Sequence, residues 1–311
     1  MARLQMTQTT QTRSGPWAIE TAALYKNYDG VEAVRGLDLQ VPAGSIFGFL
    51  GRNGAGKTTT LKLLLGMARP TSGSATVLGL AADSRDASVE IRRRTGFVSD
   101  DKDLFDGMEV GELIRFTSPL FPRWRKDLEE KYLRKFELPA GRSVKALSRG
   151  MRTKLALLLA LCRGGELLIL DEPTSGLDPA MTEEVLQTLV SHVATEGATV
   201  FFSSHQLAEV DQIADHLAII DRGRAVLAGP LDEVREQHRR IQLVFDGDAP
   251  QAVFAAPGIV AVKRKGRVLT VLSRAGAEAI VAEGQRLNPV SIDVSAVTLK
   301  DIFLETVVTE D

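Results

Sequence analysis

Cysteine, net charge and long apolar runs are all scarce in this chain of 311 residues. A single cysteine, Cys162, excludes a disulfide within one chain and suits a reducing compartment. The apolar run at 155–161 is far shorter than the roughly 18 residues that a membrane-spanning helix needs. The formal net charge of −2 gives no strong positive field, so nucleic-acid binding is not expected. Residues 1–16 are polar without the apolar core of a signal peptide, and we expect a flexible lead-in there.

The length allows one large domain and one small domain. Hydrophobic residues make up 44% of the chain and charged residues 25%, which is ordinary for a globular protein. We predict a main α/β domain over 17–235, with a helical subdomain inserted at about 87–163, where Arg, Lys, Glu and Leu predominate. The pattern shifts near Pro230, and short strands and two helices then predict a small α+β accessory domain over 236–311.

Short apolar runs alternate with helical patterns late in the main domain. The runs at 167–170, 198–202 and 217–220 predict buried strands, and 182–195 predicts an amphipathic helix. Strands that alternate with helices imply a mainly parallel sheet covered on both faces. From residue 17 to about 84 the alternation is that of half-buried strands, which predicts an antiparallel β-subdomain.

Residues 51–58 read Gly-Arg-Asn-Gly-Ala-Gly-Lys-Thr, which fits the phosphate-loop pattern G-x-x-x-x-G-K-[ST]. A predicted buried strand precedes the loop and a helical pattern follows it, as a P-loop NTPase requires. Backbone N–H groups and the helix N-terminus bind phosphate oxygens in such a loop. Lys57 is placed to reach the β- and γ-phosphates, and Thr58 to bind Mg²⁺. We therefore predict a nucleotide-binding set that comprises Gly51, Asn53, Gly54, Ala55, Gly56, Lys57, Thr58 and Thr59.

Two acidic residues follow the apolar run at 167–170. Asp171 ends a predicted buried strand and is expected to hold Mg²⁺, directly or through water. Glu172 comes next, where it can orient or deprotonate an attacking water. Together with the phosphate loop, this pair predicts hydrolysis rather than transfer to a second substrate.

Three further polar positions complete the pattern. His205 follows a buried strand and can touch a γ-phosphate with its imidazole, although a lone histidine there is usually a boundary residue. Ser148 is a natural N-cap, which creates a second helix N-terminus suited to an anion. Asp178 closes the segment Ser-Gly-Leu-Asp at 175–178.

Over about 17–235 this set of motifs resembles the nucleotide-binding subunit of ABC transporters. Residues 51–58 resemble its Walker A loop, 167–171 its Walker B strand with Glu172 as the catalytic glutamate, 175–178 its D-loop, and His205 its switch histidine. Residues 147–151 resemble the signature motif, and Tyr28 matches the aromatic residue that stacks on adenine. The resemblance implies a dimer with two ATP molecules at its interface, each also contacted by Ser148, Gly150 and Asp178 of the neighbouring subunit.

Two positions depart from the family pattern. Asp100 stands where the family has a glutamine that senses Mg²⁺ and the lytic water. It can bind Mg²⁺ through water, or it can stay away from the nucleotide until the dimer closes. We retain it as a predicted catalytic and metal-binding residue. Arg149 replaces the first glycine of the signature. We expect its guanidinium to point to solvent, the alternative being an approach to the partner's nucleotide.

The resemblance also implies a separate polytopic membrane subunit, a permease, reached from the cytoplasmic side of the inner membrane. We predict that this subunit binds at 104–108 and onward to about Trp124, where exposed Phe and Met would suit a cytoplasmic helix. The alternative is a packed loop of the helical subdomain. The ending at 299–306 resembles the tails of bacterial exporter ATPases, and the accessory domain is expected to serve dimerisation or regulation.

Two other functions stay open at this point. One is a soluble ABC-type ATPase that acts on nucleic acid or ribosomes, which the single Walker A loop, the lack of heptads and the net charge of −2 disfavour. The other is a nucleotide-dependent regulator with little turnover, which the acid at Asp100 suggests.

Overall fold

A computed structural model describes residues 17–307 of the chain. The predicted lead-in at 1–16 lies outside the described residues. The strands, in chain order, are β1 (Trp17–Tyr28), β2 (Val31–Pro42), β3 (Ile46–Gly51), β4 (Ser72–Val77), β5 (Leu80–Ala81), β6 (Thr95–Val98), β7 (Leu167–Asp171), β8 (Thr199–Ser204), β9 (His216–Asp221), β10 (Arg224–Pro230), β11 (Arg239–Val244), β12 (Ile259–Lys265), β13 (Val268–Ser273) and β14 (Ser291–Ala296).

The α-helices begin and end at the following residues: α1 (Lys57–Leu64), α2 (Arg85–Arg94), α3 (Val110–Thr117), α4 (Lys126–Lys135), α5 (Arg149–Leu161), α6 (Pro179–Glu196), α7 (Leu207–Ile213), α8 (Leu231–Gln237), α9 (Ala277–Gln285) and α10 (Leu299–Val307). Sequence accounts for several of these limits. Asp178 caps α6 through the Met181 N–H, Pro179 occupies its first position, and Gly197 ends it with a left-handed backbone.

The central sheet has the strand order β10-β9-β3-β8-β7-β6. Its inner strands pair in parallel, and only the β9–β10 hairpin within this sheet is antiparallel. β3, β7 and β8 are buried along their whole length, which explains why their sequences are continuously apolar rather than alternating. The predicted P-loop NTPase fold with a mainly parallel sheet is therefore confirmed.

A second sheet, of order β2-β1-β4-β5, is antiparallel and confirms the predicted N-terminal β-subdomain. Within it, Val31–Pro42 form one continuous strand, β2. Helices α3, α4 and α5 form the inserted helical part. The predicted range of about 87–163 also contains β6, which pairs with β7 in the central sheet. This strand has only four residues between charged segments, too few to show a period.

The C-terminal region contains a third sheet, of order β12-β13-β11-β14, which is antiparallel. Its own core includes Ile241, Val271 and Ile280 of α9. Helix α10 leaves this region, and its Leu299 and Ile302 lie in the same hydrophobic cluster as residues of α7 and β9. The region is therefore α+β, as predicted, while the boundary at residue 236 stays a prediction. Between residues 17 and 307, no helix is both long and apolar enough to cross a membrane.

Candidate active site

The phosphate loop connects the end of β3 at Gly51 to the start of α1 at Lys57. Gly56 has a left-handed backbone, with φ 104°, and a Cβ there would lie 2.3 Å from the Ala33 carbonyl oxygen. Only glycine fits this approach to β2. Gly223 lies outside the loop, and its N–H donates to the carbonyl of Ala55 in the loop at 2.9 Å. The carbonyl of Gly223 in turn accepts from the Arg35 N–H of β2 at 2.7 Å. The predicted strand–loop–helix arrangement is thus present, with the loop anchored to two other segments.

The ammonium group of Lys57 lies across the loop and is almost fully buried. Its Nζ donates to the carbonyl oxygens of Gly51 at 2.7 Å and Arg52 at 3.3 Å. It also lies 3.1 Å from Oε1 of Glu172, with the Lys57 side chain 7% exposed. A buried cation needs such partners because water no longer solvates it. Phosphate oxygens that reach Lys57 must compete with the Glu172 carboxylate.

Asp171 joins the phosphate loop to the end of β7. The Thr58 hydroxyl donates to Oδ2 of Asp171 at 2.7 Å, and the Ser203 hydroxyl donates to Oδ1 at 2.6 Å. Two of the three predicted magnesium-binding residues, Thr58 and Asp171, are therefore in direct contact. Ser203 was not among the predicted site residues, and its signal is its place at the end of a buried strand, two residues before His205.

Glu172 is held in an uncommon backbone conformation, with φ 48°. Its N–H donates to the Ser203 hydroxyl at 3.0 Å. Its Oε2 lies 2.7 Å from Nδ1 of His205, and Nδ1 is the donor because an ionised carboxylate only accepts. The structure thus brings together Lys57, Glu172 and His205, which come from three separate segments of the chain.

Asp100 and Lys102 lie in the turn after β6. Asp100 is half exposed, and its Oδ1 lies 3.5 Å from Nζ of Lys102. Nζ of Lys102 donates to the carbonyl oxygen of Glu172 at 2.7 Å. Burial lowers the pKa of the Lys102 ammonium, against the opposing effect of Asp100. Sequence reasoning missed Lys102, because one lysine among acidic residues reads as a solvated charge.

The signature residues lie on a different part of the chain. Ser148 caps α5 by accepting from the Met151 N–H at 3.3 Å. A Cβ on Gly150 would meet Sδ of Met181 at 2.3 Å, so α5 packs closely on the start of α6 there. Within residues 17–307, no hydrogen bond or ion pair connects Ser148 or Asp178 with the cluster around Lys57. Their predicted contact with nucleotide stays a prediction.

Arg149 is exposed to solvent, in keeping with the expectation from sequence, and its guanidinium lies beside the loop that contains Gly176. Its Nη2 donates to the Ser175 hydroxyl at 3.3 Å. A Cβ on Gly176 would lie 2.2 Å from Cζ of Arg149, so the guanidinium covers the face of this glycine. The physical reason is that Gly176 has no side chain and its backbone is left-handed, which leaves room for the arginine.

The remaining predicted residues lie on the rim of the loop or beyond it. Asn53, Gly54 and Thr58 are exposed, whereas Thr59 is half-buried. Tyr28 ends β1 and is 43% exposed, with Nζ of Lys26 lying 4.6 Å from its ring centroid. An exposed aromatic ring of this kind can receive a nucleobase, a role that stays a prediction for Tyr28. Among residues 17–307, no three His, Cys, Asp or Glu side chains group to hold a metal ion by themselves.

Comparison with known proteins gives the family. A family profile described as ABC transporter matches residues 34–175. The bacitracin transport ATP-binding protein BcrA of Bacillus licheniformis is 35% identical over 224 residues, which cover 71% of this chain and 72% of that protein. The daunorubicin/doxorubicin resistance ATP-binding protein DrrA of Streptomyces peucetius is 39% identical over 70% of this chain and 67% of its own length. The nickel import ATP-binding protein NikO of Rhodobacter capsulatus is 34% identical over 75% of this chain and 99% of that protein.

A solved ATP-binding subunit of an ABC transporter superposes with a TM-score of 0.64 at 26% identity, covering 71% of this chain and 92% of the solved one. The chain belongs to the ABC transporter ATP-binding family. It is accordingly an ATP-binding cassette, and its activity is ATP hydrolysis.

Proposed function

We propose that the protein is the ATP-hydrolysing subunit of a bacterial exporter, and that it closes as a dimer around ATP to drive a separate membrane subunit. The observation that carries the proposal is the convergence of Lys57, Glu172 and His205 at the phosphate loop, at distances of 3.1 Å and 2.7 Å. The cluster contains a cation for phosphate and a carboxylate oriented by an imidazole. These are the groups that water attack on a γ-phosphate needs.

Within the site, each residue has a separate proposed role. Lys57 binds phosphate oxygens once Glu172 releases it, and the freed Glu172 carboxylate accepts a proton from the attacking water. His205 orients that carboxylate through Nδ1. The Thr58 hydroxyl and the Asp171 carboxylate fit Mg²⁺, since this ion is usually held by one or two protein oxygens together with phosphates and water. When bound, Mg²⁺ would neutralise charge on the phosphates.

The proposed dimer rests on the separation of Ser148 from the Lys57 cluster. No acidic residue lies in the first turn of α5, so its N-terminus keeps a partial positive charge that favours an anion. We propose that the γ-phosphate held by a second ATP-binding subunit, identical or different, is this anion. Loss of that phosphate on hydrolysis then removes the charge that joins the two subunits.

The proposed contact with the membrane subunit is an exposed apolar patch, defined by Phe105, Phe116 and Leu120. These side chains are 62%, 51% and 61% exposed, and the two phenyl rings meet edge to face at 5.8 Å. A cluster of exposed apolar side chains favours a partner surface. Asp106 next to the patch accepts from Arg152 of α5 at 2.6 Å, which links the patch to the signature helix. The protein would therefore bind peripherally, on the cytoplasmic face of the inner membrane.

Export is the proposed direction because DrrA is named for drug resistance, and import is the alternative outcome of the test. The experiment is co-expression of the tagged protein with a polytopic membrane protein from a neighbouring gene, followed by co-purification and ATPase assay. We expect that partner to co-purify, to raise hydrolysis and to accumulate substrate inside inverted vesicles. Phe105→Ser should lose the partner while keeping its basal ATPase rate. Persistent isolation with ribosomes or nucleic acid in place of a membrane protein would contradict the proposal.

A further inference from the structure

Lys102 is a buried lysine that no motif explains. Its side chain is only 5% exposed, although it lies in a surface turn four residues after the end of β6. Its backbone is left-handed, with φ 47°, and its N–H donates to the Ser99 carbonyl at 3.3 Å. Lysine rarely adopts this conformation or this degree of burial. The turn therefore directs the ammonium inward, toward the end of β7.

The ammonium contacts the peptide group of the predicted base. Nζ of Lys102 donates to the Glu172 carbonyl oxygen at 2.7 Å and lies 3.5 Å from Oδ1 of Asp100. A buried ammonium requires such acceptors, because their loss leaves a charge without water or partner. The carbonyl is the nearer of the two, so the bond to Glu172 fixes where the ammonium sits.

The backbone of Glu172 is thereby held from both sides. Its N–H donates to the Ser203 hydroxyl at 3.0 Å, and its carbonyl accepts from Lys102. The residue between these two bonds has φ 48°, which requires support from its surroundings. Since the two peptide planes set the direction of the Cα–Cβ bond, they also set the direction of the carboxylate toward Lys57 and His205.

We propose that Lys102 is a positioning residue for Glu172 and that Asp100 is the counterion that keeps Lys102 in place. The inference rests on the proposed role of Glu172 as the base. It also accounts for an acid at position 100, since the negative charge of Asp100 is offset by the ammonium beside it. The pair of Asp100 and Lys102 thus presents little net charge to a bound triphosphate.

The test is steady-state ATP hydrolysis and equilibrium ATP binding by the full chain with Lys102→Met. Methionine keeps most of the side-chain length and removes the ammonium. We expect kcat to fall about 10- to 100-fold, the range that misplacement of a reacting group causes, while the Kd for ATP rises by no more than about twofold. In a Glu172→Gln background, Lys102→Met should change the residual rate by less than about twofold, because the group that it positions is gone. Lys135→Met is the matched control, an exposed lysine at the end of α4.

Several results would overturn the inference. Equal losses of kcat in the parent and in the Glu172→Gln background would show that Lys102 does not act through Glu172, and an unchanged kcat would remove its role altogether. If Lys102→Met fails to fold, Lys102→Arg, which keeps a cationic donor, should retain more activity than Lys102→Gln; equal rates contradict the proposal. If Asp100→Asn only raises the Mg²⁺ concentration for half-maximal hydrolysis, Asp100 is a metal-binding residue and not a counterion. A Glu172→Gln variant as active as the parent would instead refute the role of Glu172 itself.

Discussion

Replacement of Glu172 by glutamine should strengthen ATP binding while it abolishes most hydrolysis. In the structure, Oε1 of Glu172 lies 3.1 Å from Nζ of Lys57. The carboxylate therefore competes with phosphate oxygens for the Lys57 ammonium. At that separation the gross attraction is about 5 kcal/mol for an effective dielectric constant near 20, and desolvation of the two buried groups cancels most of it. Glutamine keeps an amide oxygen for Lys57 but removes the charge. We expect the net competition to weaken by about 1–2 kcal/mol, so the Kd for ATP should fall about 5- to 30-fold.

The assay is an equilibrium titration of a fluorescent ATP analogue by anisotropy, in the cold and with Mg²⁺, for the parent and for Glu172→Gln. Glu130→Gln is the control, since this glutamate is exposed on α4 and lies outside the site. The kcat of Glu172→Gln should fall about 10²- to 10³-fold, the contribution expected of a general base. If Glu172→Gln binds the nucleotide no more tightly than the parent, the competition for Lys57 does not exist. The reasoning from the 3.1 Å contact is then refuted.

Two further perturbations probe burial and backbone conformation. Burial lowers the pKa of His192 to about 4, below its ordinary value near 6.5, so the unfolded chain takes up the proton first as the pH falls. The contribution of His192 should therefore lower the free energy of unfolding by about 3 kcal/mol as the pH falls from about 6.5 to about 4. The measurement is urea unfolding of the parent and of His192→Gln at several pH values across this window. If the free energy of unfolding depends on pH in the same way in both proteins, His192 has no such effect. Gly56→Ala should lose ATP binding and about 1–3 kcal/mol of stability, because φ is 104° and the new Cβ meets the Ala33 carbonyl. Normal binding with a melting temperature equal to that of the parent would contradict this prediction.

The sequence predicted the parts of the fold that depend on local pattern. The buried strands β3, β7 and β8 were predictable because both of their faces are covered, which leaves continuous apolar runs. β6 was not, because four residues show no period and its pairing with β7 is set by the rest of the sheet. Strand order likewise depends on contacts between distant segments, which no local pattern contains.

The candidate site divides in the same way. The phosphate loop could be predicted from spacing alone, because its glycines and its lysine all lie within residues 51–57. The contacts of Lys102, Ser203 and Arg149 could not, since each joins segments that lie 26 to 70 residues apart in the chain. The sequence does not distinguish a buried lysine from an exposed one. The burial of Lys102 is evident only from its hydrogen bond to the Glu172 carbonyl, which lies on a distant segment.

The tie between the phosphate loop and the β9–β10 turn has a consequence for sequence variation. It consists of backbone groups alone, from the Arg35 N–H through Gly223 to the Ala55 carbonyl. A change of side chain at residue 35 to anything but proline leaves both hydrogen bonds available, so point mutations that fit sterically should be tolerated there. Insertion or deletion of a single residue in the turn displaces Gly223 from both partners at once. The turn should therefore keep its length across relatives of this protein even where its residue types differ.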